Sequence, residues 1–208
     1  MNGQIKGFMK KRLAVLISGN GSNLQALIDA THSNALDAKI ELVLSNSAKA
    51  YGLQRAVNVG IATEVMTLKS YKDVGKSRVE FDQDLALKIR NHFNGSPDII
   101  VLAGFMHILS PEFLNAFPGI VINLHPALPG AFDGINAISR AYEAYNSGSI
   151  AETGVMVHKV IPQVDKGECI LVEKVPIYDS DSLSDLEDRI HKVEHRVIVE
   201  AIKKFLET

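Results

Sequence analysis

Two polar side chains stand at the end of an apolar strand, and a carboxylate follows about forty residues later. The run from Val121 to Pro126 places Asn123 and His125 two residues apart, so they point to the same side of an extended strand. Asp165 comes later, in the run Val-Asp-Lys-Gly. An imidazole oriented by a carboxylate, beside an amide that donates to a developing oxyanion, is typical of acyl transfer. The alternative is that His125 is an ordinary core histidine at a strand end.

A glycine-rich turn follows the first apolar run and is the second candidate site. Its sequence is Ser-Gly-Asn-Gly-Ser-Asn-Leu, ending at Leu24. The glycines permit a tight turn, and the first amides of the following helix attract an anion, so Gly21, Ser22 and Asn23 are candidates for binding a phosphate. The bulk of Leu24 departs from the dinucleotide fingerprint, and no Gly-Lys-Ser/Thr follows as an ATP-type loop requires. A phosphate monoester is therefore favoured, with a turn in which Ser22 or Asn23 merely caps the helix as the alternative.

The elements that must position these residues alternate between strand and helix through the first two-thirds of the chain. Continuous apolar runs predict buried parallel strands, and helical periodicity predicts the segments between them. The predicted strands are 13–17, 40–44, 99–103 and 120–123, and the predicted helices are 23–31, 50–59 and 78–92. Residues 155–160 and 170–175 predict an antiparallel pair, and a long helix opened by Asp181 or Ser182 ends the chain. The fold class is α/β, an open and mostly parallel doubly wound sheet.

Length and composition set the remaining bounds. The chain has 208 residues, 46% of them hydrophobic, and a formal net charge of -2, which suit one domain and favour neither nucleic acid nor a membrane as a partner. We expect a disordered leader at 1–11 and a single domain at 12–208. The one cysteine, Cys169, excludes an internal disulfide framework and fits a reducing compartment. We therefore expect a cytoplasmic protein.

The last helix carries a pattern that resembles a zinc site. His191, Glu194 and His195 match His-x-x-Glu-His, with the two histidines about one helical turn apart. A metal site needs a third ligand, and Glu200 lies well round the helix from the histidine pair. The pattern also lies within an amphipathic helix, so we interpret the histidines as surface residues and expect no metal.

These elements together resemble the phosphoribosylglycinamide formyltransferase family, from about residue 12 to residue 205. Three stretches carry the resemblance besides the Asp165 turn: Leu-Ile-Ser-Gly-Asn-Gly-Ser-Asn-Leu-Gln-Ala at 16–26, Val-Leu-Ala-Gly-Phe-Met at 101–106 and Asn-Leu-His-Pro at 123–126. The Asn-x-His-Pro element with its distant Asp is shared by formyltetrahydrofolate-dependent relatives and indicates the chemistry. The glycine turn indicates which molecule accepts the formyl group. The resemblance implies a formyltransferase fold of Rossmann-like type.

The resemblance also implies roles for individual residues. Asn123, His125 and Asp165 would be catalytic, Gly21, Ser22 and Asn23 would hold the substrate phosphate, and Glu194 would bind the ribose or glycinamide end. The reaction would move the formyl group of 10-formyltetrahydrofolate to the amine of 5'-phosphoribosylglycinamide in purine (IMP) biosynthesis, without a metal. The expected folate-binding residues are Arg78, Met106, His107, Ile108, Leu109, Asn123 and Asp165.

The chain departs from the family pattern at several positions. Relatives commonly carry an Arg at the position of His107 and a small residue at that of Lys166. The segment 127–130 is Ala-Leu-Pro-Gly in place of Ser-Leu-Leu-Pro. Asn136 stands where some relatives have a second histidine, so no catalytic role is assigned to it.

Three alternative functions share part of this pattern. A methionyl-transfer-RNA formyltransferase needs a further nucleic-acid-binding domain and basic charge. A formyltetrahydrofolate hydrolase uses water as the acceptor and normally carries an N-terminal regulatory domain. A non-catalytic module that binds phosphate ligands has no use for the catalytic group. The expected partners are small-molecule substrates and neither nucleic acid nor a membrane, and the expected assembly is a monomer or homodimer.

Overall fold

The computed structural model describes residues 10–207, which form seven strands and seven helices. The first strand begins at Lys11, so the predicted domain boundary at residue 12 falls one residue inside it. Residues 1–9 of the predicted leader lie outside the described residues. In residues 10–207 no helix has the length and apolar character needed to cross a membrane.

Strands and helices alternate as far as the fifth strand, and two strands and a helix complete the chain. The strands are β1 Lys11–Ile17, β2 Ala38–Ser45, β3 Ala62–Val65, β4 Ile99–Leu102, β5 Val121–His125, β6 Glu152–Lys159 and β7 Cys169–Pro176. The helices are α1 Ser22–His32, α2 Tyr51–Asn58, α3 Leu68–Asp73, α4 Arg78–Phe93, α5 Pro111–Ala116, α6 Ala137–Asn146 and α7 Leu183–Leu206.

One sheet joins all seven strands in the order β3-β2-β1-β4-β5-β6-β7. The first five are parallel, while β6 pairs antiparallel with β5 and β7 antiparallel with β6. The predicted fold class, the antiparallel pair and the long last helix are all confirmed. The strand order reverses at β1: β2 and β3 are added on one side of β1, and β4 and the later strands on the other. Such a switch point leaves a crevice at the carboxyl ends of β1 and β4.

Helices cover the sheet on both faces because alternate residues of each central strand point to opposite sides. In β1, Leu13, Val15 and Ile17 pack with α1 and α7 in one hydrophobic cluster. Ala14 and Leu16 pack on the other face, with α4 and α5. All five side chains are fully buried, which explains why the strand is a continuous apolar run.

Four short elements were not predicted from the sequence. The strand β3 has no buried residue, and neither has α3, so neither carries a strong hydrophobic pattern. The helix α5 has six residues, begins at Pro111 and buries only Phe113 and Leu114. The helix α6 buries only Ala137 and Ala141, small residues that give little periodic signal. The local hydrophobic pattern alone therefore does not mark these four elements.

The two longest helices have strong N-terminal signals. Ser77 precedes α4 and forms a capping box with Glu80, in which each side chain bonds to the other residue's backbone. Ser182 and Asp185 form the same box at the start of α7. Of the two residues predicted to open α7, Ser182 is therefore the cap, while Asp181 forms an ion pair with Arg189.

Replacement of Ser182 by Ala should destabilise the protein through the end of α7. The change removes the side chain that accepts from the Asp185 N–H, a loss that costs about 1 kcal/mol at a typical N-cap. Urea unfolding followed by circular dichroism measures the change in unfolding free energy. Ser184→Ala is the matched control, since Ser184 is exposed within α7. Equal stabilities of the two variants would contradict the capping role.

Candidate active site

A cavity of about 800 Å³ opens where the crevice between β1 and β4 meets the end of β5. The loop after β1, the loop after β4 and the turn between β6 and β7 form much of its wall. The cavity brings together every site residue predicted from the sequence, namely Gly21, Ser22, Asn23, Arg78, Met106, His107, Ile108, Leu109, Asn123, His125, Asp165 and Glu194.

The carboxylate of Asp165 lies at the centre of the polar groups in this cavity. One oxygen, Oδ1, lies 3.3 Å from Asn123 Nδ2 and 3.3 Å from His158 Nε2. The other, Oδ2, accepts from the Gly134 N–H over 2.7 Å and lies 3.5 Å from His125 Nδ1. The three residues predicted as a catalytic group are thus in contact, and the carboxylate side chain is only 7% exposed.

Two neighbouring strands position the side chains around Asp165. The alternation of β5 points Asn123 and His125 to one side, as the sequence predicts. Asn123 is paired directly with His158 of β6, and their side chains lie 3.3 Å apart. Sequence reasoning missed His158, which stands near the end of the apolar run of β6. The signal was a histidine in a buried strand, but its role depends on the register with β5.

The backbone of the turn that carries Asp165 is held in an uncommon conformation. Asp165 has φ of 54°, in the left-handed region that few non-glycine residues adopt. Two residues later, Gly167 lies so close to the strand that an added Cβ would be 1.7 Å from the carbonyl oxygen of Lys159. Only glycine therefore fits at residue 167, and the turn that carries Asp165 packs directly against β6 at this point.

Electrostatics keep the Asp165 carboxylate ionised. Its burial raises its pKa, but hydrogen bonds from His158 and the Gly134 N–H, together with the charges of His125 and His158, outweigh that effect and lower the pKa below its usual range. A negative charge is thus available at neutral pH to orient protons on both imidazoles.

The contacts of His125 and its burial have opposite effects on its protonation. Its Nε2 lies 3.2 Å from the Phe132 carbonyl oxygen and its Nδ1 faces Asp165, so both ring nitrogens meet acceptors, as suits an imidazolium. Burial nevertheless lowers the pKa of His125 more than Asp165 raises it, and His158 lowers it further. We infer that the ring is neutral in the free protein and is arranged to accept a proton once extra negative charge forms nearby.

The glycine turn leaves the start of α1 open to an anion. Gly21 is the N-cap residue, with φ of 75°, and no side chain caps the helix, so the alternative of capping by Ser22 or Asn23 is wrong. The turn is pressed against α2, because a Cβ on Gly21 would lie 2.7 Å from the Gly52 Cα. Arg55 of α2 donates to the Asn20 carbonyl oxygen over 2.9 Å and so holds the turn.

Glu194 reaches the same turn from α7. The Asn23 Nδ2 donates to its carboxylate over 3.3 Å, which leaves the Asn23 Oδ1 buried and without a partner in the described part of the chain. Burial raises the pKa of Glu194, an effect that the bond from Asn23 and the charge of His191 oppose. The buried carboxylate and the free amide oxygen are both acceptors, so they suit hydroxyl or ammonium donors of a ligand.

The loop after β4 forms the opposite wall of the cavity. Met106 and Ile108 expose 71% and 57% of their surface, which makes this part of the wall apolar and accessible. His107 points inward and bonds to the buried Asp82 over 2.6 Å, and Leu109 is buried. Arg78, at the start of α4, donates to the Ile108 carbonyl oxygen at the rim.

The His-x-x-Glu-His pattern of α7 does not form a cluster of ligands. Within residues 10–207 no group of three or more His, Cys, Asp and Glu side chains is placed to hold a metal ion. Glu194 is turned to Asn23, whereas His191 is exposed. Burial and the nearby charges of His191 and Arg55 lower the pKa of His195.

Comparison with known proteins agrees with this geometry. The family model described as formyl transferase matches residues 11–202. The chain belongs to the formyl transferase family. A phosphoribosylglycinamide formyltransferase of Schizosaccharomyces pombe is 49% identical over 208 residues, covering 95% of this chain and 98% of that protein. The one from Dictyostelium discoideum is 46% identical over 203 residues, covering 94% and 98%.

A solved structure of another protein shows the same fold. Glycinamide ribonucleotide transformylase 1 from Symbiobacterium toebii superposes with a TM-score of 0.89 at 35% identity, covering 99% of this chain and 92% of that one. The match to the formyl transferase family, residues 11–202, includes Asn123, His125, Asp165 and the glycine turn.

Replacement of Gly21 by Val should weaken binding of a ribose phosphate ligand more than binding of a folate. The added side chain needs space taken by Gly52 and a backbone conformation that β-branched residues avoid, so it displaces the amides at the start of α1. Isothermal titration with each ligand separately measures the two affinities, and Gly119→Val is the control, since Gly119 has a positive φ and open space around it in the turn before β5, at the amino end of the parallel strands. Equal losses for both ligands would contradict the placement of the phosphate.

Proposed function

We propose that this chain transfers the formyl group of 10-formyltetrahydrofolate to the amine of 5'-phosphoribosylglycinamide, giving the N-formyl product and tetrahydrofolate in purine biosynthesis. The single observation that carries the proposal is that Asp165 and its three contacts, Asn123, His125 and His158 (the Asp165 cluster), share one cavity with the uncapped start of α1. One small substrate can therefore contact both the residues for acyl transfer and the residues for phosphate binding. The names of the similar proteins support the same reaction.

The two ligands take different walls of the cavity. The phosphate binds at the backbone of Gly21, Ser22 and Asn23, where the helix dipole adds to the N–H donors. Glu194 accepts from the ribose hydroxyls or from the amide N–H of the glycinamide end, and its position beside Asn23 joins this contact to the phosphate contact. The folate lies along the loop 106–109, whose apolar surface suits a flat ring.

The reaction needs one nitrogen to lose a proton and another to gain one. The substrate amine attacks the formyl carbon, a new C–N bond forms, and the carbonyl oxygen becomes an oxyanion. His125 accepts the proton released by the attacking amine and, as the cation, stabilises this oxyanion. The proton then passes to the folate nitrogen as its C–N bond breaks. Tetrahydrofolate leaves, and His125 is neutral again.

Asn123 and Asp165 support this step in distinct ways. The Asn123 amide has two N–H donors, so it can contact Asp165 and still donate to the oxyanion. The charge of Asp165 raises the pKa of His125 against the effect of burial, which makes the cation accessible during the reaction. His158 shares the carboxylate and holds it on the opposite side. The proposed chemistry involves no metal ion.

The alternatives each leave part of the site without a purpose. A formyltetrahydrofolate hydrolase does not need the phosphate turn or the buried Glu194 beside it. A phosphate-binding module does not need the Asp165 cluster. The proposed partners are therefore small molecules, and a monomer or homodimer remains our prediction for the assembly. The free Cys169 fits the proposed cytoplasmic location.

One assay separates these functions. The purified chain is incubated with 10-formyltetrahydrofolate, with and without 5'-phosphoribosylglycinamide, and tetrahydrofolate is followed by absorbance. We expect tetrahydrofolate only when the ribonucleotide is present, and a formylated ribonucleotide in equal amount. Release of formate without the ribonucleotide would establish the hydrolase instead. No turnover, despite binding of the ribonucleotide, would establish the binding module.

Replacement of His125 by Ala should lower kcat on the order of 10²-fold or more, because the group that takes the proton is lost. Binding of both substrates should change little. Steady-state kinetics of the purified variant measure the effect, with circular dichroism and thermal unfolding to confirm folding. His32→Ala, at an exposed histidine in α1, is the control. Near-normal turnover of folded His125→Ala would contradict the mechanism.

A further inference from the structure

Two loops meet beside the catalytic group: the loop between β5 and α6, residues 126–136, and the turn between β6 and β7, residues 160–168. Two consecutive residues of the first loop contact two consecutive residues of the second. The Gly134 N–H donates to the Asp165 carboxylate over 2.7 Å. The adjacent residues, Asp133 and Lys166, form an ion pair between the same loops. We propose that this ion pair is a latch that fixes the position of Asp165, so that Asp133 and Lys166 are positioning residues for formyl transfer. The inference rests on the proposed function.

Uncommon backbone conformations flank the latch on both sides. Asp165 has φ of 54° and Phe132 has φ of 52°. Non-glycine residues stay in this region only where the surrounding contacts hold them there. Phe132 also provides the carbonyl oxygen that contacts His125. A contact that joins the two loops therefore acts on both partners of His125 at once.

The ion pair also sets the charge that His125 experiences. Burial lowers the pKa of His125 most, Asp165 raises it, His158 lowers it, and Asp133 raises it by a smaller amount. Among residues 10–207, the titratable groups with such an effect are Asp165, His158 and Asp133, and the contact with the Phe132 carbonyl oxygen also raises the pKa. Lys166 offsets the charge of Asp133, so loss of Lys166 leaves that negative charge uncompensated near His125. Loss of Asp133 has the opposite effect.

Because the ion pair between Asp133 and Lys166 lies at the surface, its loss should affect the geometry of the active site more than the global stability. The side chains of Lys166 and Asp133 are 48% and 34% exposed, and such surface ion pairs contribute little to global stability. Their effect on geometry is more direct, because Asp165 contacts its neighbours at 3.3–3.5 Å and small displacements reduce turnover strongly. Arg140 separately holds the main chain of Asp133 through its carbonyl oxygen, over 2.8 Å. The side chain of Asp133 can therefore be changed without releasing the loop.

The first test compares Lys166→Ala with Lys159→Ala by steady-state kinetics with both substrates. Lys159 forms an ion pair with Glu168 at the base of the same turn, but its side chain does not reach Asp133 or Asp165. We expect Lys166→Ala to lower kcat about tenfold with the KM for the ribonucleotide and the thermal midpoint unchanged, and Lys159→Ala to match the wild type. Wild-type kcat for Lys166→Ala, or equal losses in both variants, would overturn the proposal.

The second test is rescue by charge. Lys166→Arg keeps the cation and should keep most of the kcat, whereas Lys166→Met keeps only the length and should lose it. The exchanged pair, Asp133→Lys with Lys166→Asp, should recover kcat to within about threefold of the wild type, since it restores the attraction between the loops. Failure of both the Arg variant and the exchanged pair to recover activity would overturn the latch.

The third test is the pH dependence of kcat/KM. In the proposed mechanism the neutral imidazole of His125 accepts the proton of the amine, so kcat/KM should rise with pH through the pKa of His125. Lys166→Ala should move this acidic limb to higher pH, and Asp133→Asn should move it to lower pH. A purely structural role would not move the acidic limbs of the two variants in opposite directions. Equal shifts in the same direction would therefore overturn the proposal. An inactive wild-type protein would instead refute the proposed function.

Discussion

A buried carboxylate shared by two imidazoles and an amide is the constraint on which the site depends. Asp165 contacts Asn123, His125 and His158 with its two oxygens, while a backbone N–H from another loop completes its contacts. Its charge remains because these donors offset the cost of burial. Every other feature of the site either brings a partner to this carboxylate or brings substrate beside it.

The sheet supplies that arrangement through its topology. The switch point between β1 and β4 places the glycine turn beside the apolar loop after β4. The antiparallel addition of β6 to β5 brings His158 level with Asn123, a pairing that a further parallel strand with its crossover helix would not provide in so short a segment. The buried β1, packed by helices on both faces, is the rigid element behind the phosphate turn.

Much of this could be predicted from the sequence, and the remainder depends on contacts between distant segments. The period-two spacing of Asn123 and His125 and the apolar runs of the strands are local signals, so those predictions are confirmed by the fold. The role of His158 depends on strand register, and the contact of Gly134 with Asp165 depends on two loops meeting. Neither leaves a local pattern. Amphipathic periodicity marks α7, but burial of Glu194 against α1 follows only from packing.

The most direct test is the pKa of His125, measured by an NMR titration of the protein with isotope-labelled histidine. The His125→Gln variant assigns the signal. In the wild type the pKa should lie below the ordinary value of about 6.5, because burial outweighs the charge of Asp165. In Asp165→Asn it should fall further, since the largest of the effects that raise the pKa of His125 is lost. A wild-type pKa above the ordinary value, or one that Asp165→Asn leaves unchanged, would contradict the account.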